Sequence, residues 1–85
     1  MGTTNTISLT DAPRGRTLEV ISVPAGRSRE QLIRLGILAG ETIRCIQRLP
    51  GGTMLVEKNR QEIAIGVKLA SSIVVRLNGD TKERS

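Results

Sequence analysis

Residues Ser28–Gly40, SREQLIRLGILAG, decide how the rest of the chain is read. The stretch predicts two helical turns, a glycine stop and a tight turn that launches a strand. Ser28 stands where a capping hydroxyl is wanted, and Gln31 three residues on completes a capping box with it. Leu32, Ile33 and Leu35 make an apolar side, while Arg29, Glu30 and Arg34 stay in water. Gly36 suits the residue just past the helix end, because glycine carries no Cβ penalty in the left-handed conformation. In that register Leu32 and Ile37 are the pair whose apolar contact closes a Schellman stop. Gly40 offers a second positive-φ position before the next strand. Ile37, Leu38 and Ala39 lie between the two glycines, and an apolar turn of this kind needs a core beneath it or a partner above it.

Strands are expected on both sides of this helix. Arg16–Val23 (RTLEVISV) is β-branched and partly alternating, and Pro24-Ala25-Gly26 breaks it. Glu41–Leu49 (ETIRCIQRL) is the second strand, where Ile46 interrupts the alternation and hints at a bulge. Pro50-Gly51-Gly52 turns into Thr53–Lys58. Asn59-Arg60 is a two-residue hairpin turn into Gln61–Ile65, and Ile73–Leu77 is the fifth strand. Val67–Ser72 (VKLASS) reads as one helical turn. Ile7–Pro13 reads as a turn or single helical turn, with Ser8 as its cap and Leu9 as its anchor. Residues 1–6 and 78–85 are polar ends, so residues 1–85 form one domain with its core between about 7 and 77.

The expected architecture is mainly β: a small, partly open, five-stranded barrel with one short α-helix between strands one and two. Leu18, Val20, Ile43, Cys45, Met54, Val56, Ile63, Ile65, Ile73 and Val75 fill its interior. A barrel this small has no room for an internal ligand.

Composition narrows function more than any motif does. The chain has no histidine, which removes the usual serine triads, Cys–His catalysis and imidazole zinc sites. It has no Phe, Tyr or Trp, which weakens base-stacking platforms and proline-peptide grooves. The lone Cys45 sits in an apolar strand and reads as a small buried hydrophobe in a reducing compartment. The net charge of +5 is spread along the chain rather than gathered in a basic run, as a solvated basic surface would have it. No two acids pair in sequence, and Gly51-Gly52 is flanked by no phosphate-loop pattern. No run is apolar and long enough for a membrane span or a signal peptide. Catalytic residues, metal ligands and cofactors are therefore not expected.

The segment Leu35-Gly36-Ile37-Leu38-Ala39-Gly40 resembles the L-G-[MIL]-x-P-G segment of the ferrous iron transport protein A (FeoA) family. The opening SLTDAPRG, the helix QLIRLG, the Pro50–Gly52 hairpin, the strand pair MLVEKNRQEIAI and the closing VKLASSIVV match in order, so the likeness runs from Leu9 to Leu77. Ala39 stands where the family usually has proline, and the hairpin at Gly51-Gly52 is a residue or two shorter. The resemblance implies an SH3-like barrel in the cytoplasm of a bacterium. It implies a non-enzymatic accessory role in ferrous iron uptake, by binding and modulating the membrane transporter FeoB. Carried onto this chain, it makes Leu32, Leu35, Gly36, Ile37 and Leu38 the contact candidates. The outward Leu55 joins them from the strand reading. Of these, Leu32 and Leu35 are expected to serve the core first, which leaves Ile37, Leu38 and Leu55 for a partner. No nucleic acid and no membrane insertion are expected, and weak self-association is left open. The competing readings are a regulatory domain like the SH3-like C-terminal domain of metal-dependent repressors, and a small basic barrel that binds nucleic acid.

Overall fold

The computed structural model describes residues 6–78, and the expected polar ends lie outside them except for Thr6 and Asn78. The elements run β1 (Thr6–Ser8), a 3-10 turn (Leu9–Asp11), β2 (Thr17–Ser22), α1 (Arg27–Arg34), β3 (Thr42–Arg48), β4 (Met54–Lys58), β5 (Gln61–Ile65), α2 (Val67–Ser71) and β6 (Val74–Asn78). All strands pair antiparallel in one sheet of order β1-β6-β2-β3-β4-β5, with β1 and β5 at its edges.

The sheet has six strands where the sequence predicts five, and α1 therefore lies between the second and third. The extra strand is three residues long and shows no alternation. It exists because Thr6, Ile7 and Ser8 find Arg76, Val75 and Val74 across the sheet, a long-range pairing that no local pattern announces. The 3-10 turn behind it forms as expected. Ser8 Oγ accepts from the Thr10 amide at 3.3 Å, and Leu9 is fully buried. The same hydroxyl reaches the Ser71 carbonyl at 3.2 Å and so ties this turn to α2.

All ten residues expected inside are buried, joined by Leu9, Leu32, Ile37 and Ala70 in one cluster. One cluster fed by β2 through β6 requires the sheet to curl around it. Two register shifts help, at Val20/Ser22 between β2 and β6 and at Cys45/Gln47 between β3 and β4. The second is the bulge that Ile46 announces, because an extra residue on one strand bends it and raises its twist. The core is aliphatic apart from Cys45 and Met54, and no charged or polar side chain is buried among the described residues.

The β4–β5 hairpin turns through Asn59 (φ 53°) and Arg60 (φ 68°), between the paired Lys58 and Gln61. Two positive φ values define the turn whose twist matches the strands, even without the usual glycine. Cross-strand ion pairs line the outer face: Arg76 with Glu19, and Arg44 Nη1 with Glu57 Oε1 at 3.8 Å. At this exposure each contributes about 0–1 kcal/mol.

Candidate functional site

α1 is capped two residues earlier than expected. Its N-cap is Gly26 at φ 84°, with no side-chain capping bond, and Ser28 lies inside the first turn. The Gly26 carbonyl already accepts from the amides of Arg29 (3.0 Å) and Glu30 (3.3 Å). The positive φ at Gly26 swings the chain out of the Pro24–Ala25 segment, so the backbone alone starts the helix and the Ser28–Gln31 capping box does not form.

The C-terminus follows the sequence closely. Gly36 is left-handed at φ 81°. Its amide donates to the Ile33 carbonyl at 3.0 Å, and the Ile37 amide donates to the Leu32 carbonyl at 2.9 Å. These are the two bonds of a Schellman motif. Its apolar pair, Leu32 and Ile37, is fully buried. Lys58 secures the stop from below. Its Cε lies 3.4 Å from where a Gly36 Cβ would sit, and its Nζ donates to Glu41 Oε1 at 2.7 Å.

The chain then turns over Leu38–Glu41. The Glu41 amide donates to the Leu38 carbonyl at 3.0 Å, and Gly40 takes φ 93°, which makes a type II turn. Reciprocal bonds of 2.8 Å, Gly40 amide to Val20 carbonyl and Val20 amide to Glu41 carbonyl, stitch it to β2. Ala39 occupies the turn position that favours proline, is exposed, and donates no backbone hydrogen bond among the described residues. Ala39→Pro is therefore expected to stabilise the fold by about 0.4–1 kcal/mol through the unfolded chain, read as a rise of a few degrees in Tm. A fall in Tm would mean that Ala39 does not hold a proline-like φ.

The apolar side of α1 is narrower than its sequence suggests. Only Leu32 is buried; Ile33 is 46% and Leu35 38% exposed. Two helical turns beside a curled sheet bring one side chain over the core, and its neighbours along the helix face water. Of the residues expected to meet a partner, Leu32 and Ile37 have no accessible surface, and Gly36 serves the backbone stop. Ile37 is thus corrected from contact residue to core residue, because the Schellman geometry drives it beneath the helix. Leu38 and Leu55 are half-buried and Leu35 is exposed, so these three can be touched.

Leu35 and Gln31 form one wall of an open groove of about 670 Å³, whose other wall is Gln61, Glu62, Ile63 and Ala64 of β5. Ala64 is also the cross-strand partner of Leu55, so Leu35, Ala64 and Leu55 are linked around β5. A second depression on α1, lined by Arg27, Glu30, Gln31 and Arg34, meets the groove at Gln31. Arg27, Arg29 and Arg34 are exposed, and none is in an ion pair among the described residues. The β5 wall and the outward Ile33 are missing from the sequence-based set, since neither carries a local signal.

Chemistry within the domain is sparse. Burial pushes the Cys45 thiol above its ordinary pKa, and the thiol points at the Ala12 carbonyl at 3.8 Å. Among the described residues no three Cys, Asp or Glu side chains gather into a metal-holding group. No helix there is long and apolar enough to cross a membrane.

The FeoA domain model matches residues 7–77, from β1 to β6. The chain belongs to the FeoA family. A crystal structure of the iron uptake regulatory protein FeoA is 26% identical, covering 86% of this chain and 99% of that one, with a TM-score of 0.78. The solution structure of FeoA from Chlorobium tepidum is 24% identical over 92% of this chain and 76% of that one, with a TM-score of 0.77. The manganese-activated repressor ScaR is 24% identical over 82% of this chain but 34% of its own, with a TM-score of 0.75. The FeoA domain and part of a metal-dependent repressor thus share one SH3-like fold. No curated protein matches the chain.

Proposed function

We propose that this chain is a non-enzymatic, cytoplasmic accessory protein of ferrous iron uptake that binds the cytoplasmic region of the FeoB transporter and modulates it by contact. Membership of the FeoA family supports the role in ferrous iron transport. The observation that carries the binding reading is the end of α1, where exposed Leu35 borders an open groove. Apolar side chains set beside a concavity and rimmed by charge are what a protein partner desolvates. A sequence without histidine, whose single cysteine is buried and protonated, supports the non-enzymatic part. The likeness to ScaR is one of fold, over about a third of that protein, and adds no regulatory site to this one.

The test is a binding measurement between the full chain and the cytoplasmic region of FeoB. Leu35→Glu and Leu38→Glu are each expected to weaken binding at least tenfold, with the circular dichroism spectrum unchanged. Wild-type affinity in both variants would remove this face from consideration.

A further inference from the structure

The two edges of the sheet differ in a way that the binding reading does not use. β1 is three residues long, too short to template another strand. β5 is five residues long, carries no proline, and pairs with β4 without a register shift. Natural proteins blunt exposed edges by shortening, bulging or covering them, and β5 shows none of the first two. Its cover is incomplete, because an open groove separates it from Gln31 and Leu35 of α1.

The turn sets which backbone groups face that groove. Lys58 and Gln61 flank a two-residue loop and so form a hydrogen-bonded pair, as do Val56–Ile63 and Met54–Ile65 beyond it. Gln61, Ile63 and Ile65 thus spend their amides and carbonyls on β4. Glu62 and Ala64, paired across from Glu57 and Leu55, aim theirs at the open edge. Neither residue takes part in any other backbone hydrogen bond among the described residues.

The geometry points to strand addition: an extended segment of the partner lies in the α1–β5 groove and bonds to the backbone of Glu62 and Ala64. This rests on the reading of the chain as a protein-binding module and names how the partner is held. Charge selects the occupant. Arg27, Arg34 and Glu30 line the depression that meets the groove at Gln31, Arg60 precedes Gln61 in the hairpin turn, and Glu62 lies in the groove, so three arginines face two glutamates. The fitting segment carries an apolar residue for Leu35 with carboxylates on either side, and an uncharged residue opposite Glu62. A second copy fits poorly, since two chains of net charge +5 would bring the same arginines together.

Ala64→Pro tests the idea, because the amide it deletes faces away from β4 and no ladder bond is lost. With the full chain and the cytoplasmic region of FeoB, the folded variant is expected to lose at least tenfold in affinity, while Ala64→Ser binds as wild type. Should Ala64→Pro not fold, amide exchange in the wild-type chain gives the answer. The Glu62 and Ala64 amides are expected to slow at least tenfold on adding the partner, while the already bonded Ile63 amide changes little. Full binding by folded Ala64→Pro with loss in Leu35→Glu, or unslowed amides in a formed complex, overturns strand addition and leaves the proposed function standing. Full binding in both variants overturns strand addition and removes the α1–β5 face, whereas no binding by the wild-type chain overturns the proposed function itself. Slowing that follows protein concentration without a partner assigns the edge to a second copy and overturns the acidic occupant.

Discussion

Ile37→Glu is expected to abolish cooperative folding. Ile37 has no accessible surface and sits directly under the helix stop, against Leu32 in the common core. Removing its side chain alone costs about 2–5 kcal/mol. An unpaired carboxylate in that space adds several kcal/mol, because no cationic or polar side chain is buried among the described residues to receive it. A domain of this length holds about 4–13 kcal/mol in all, at ~0.05–0.15 kcal/mol per residue. The two penalties together are of that size. Urea or thermal melts should show no native transition for Ile37→Glu, and a loss of only about 0.5–1.5 kcal/mol for Ile37→Val. A glutamate variant melting within a few degrees of wild type would show that this side chain is not enclosed.

Gly52→Ala carries the next largest effect, and two causes add. Gly52 holds φ 97°, where a Cβ is strained, and that Cβ would stand 2.7 Å from Val67 Cγ2 and 3.0 Å from Val67 Cβ. The backbone term is about 1–2 kcal/mol and the overpacking term about 1–3 kcal/mol. A total near 2–5 kcal/mol lowers Tm by roughly 10–40 °C in a domain of this size. Gly51→Ala separates the two causes. Gly51 holds φ 91° with nothing within 4 Å of its Cβ, so it should show the backbone term alone. Equal losses in the two variants would mean that α2 yields freely to the hairpin. Val67→Ala in the Gly52→Ala background should restore part of the difference, since Val67 is 45% exposed and costs little by itself.

These two sites show different degrees of legibility. Gly52 reads from sequence as half of a Pro-Gly-Gly turn, and it is one: the Gly52 amide closes on Leu49 at 3.0 Å. That Val67 comes to lie against it is a fact about α2 packing on the hairpin, with many residues between them. Ile37 is the reverse case. Its place in the Schellman stop was legible, including the buried pair with Leu32, yet the resemblance cast it as a contact residue. A residue whose contact closes a helix stop cannot also be offered to a partner. Likewise Leu38 keeps only part of its surface, because its turn is stitched to Val20 of β2.

Sequence alone determined what depends on neighbours along the chain. Alternation placed ten interior residues, positive-φ demands placed Gly36, Gly40 and the Asn59-Arg60 turn, and a broken period placed the bulge at Ile46. The tertiary structure decided what depends on residues far apart. It recruited Thr6–Ser8 as a sixth strand, turned Ile33 and Leu35 outward while Leu32 took the core, and left β5 as the longer of the two sheet edges. The reason is physical. A φ angle or a side-chain period is set within a few residues, whereas exposure and edge position exist only once strands distant in sequence have paired.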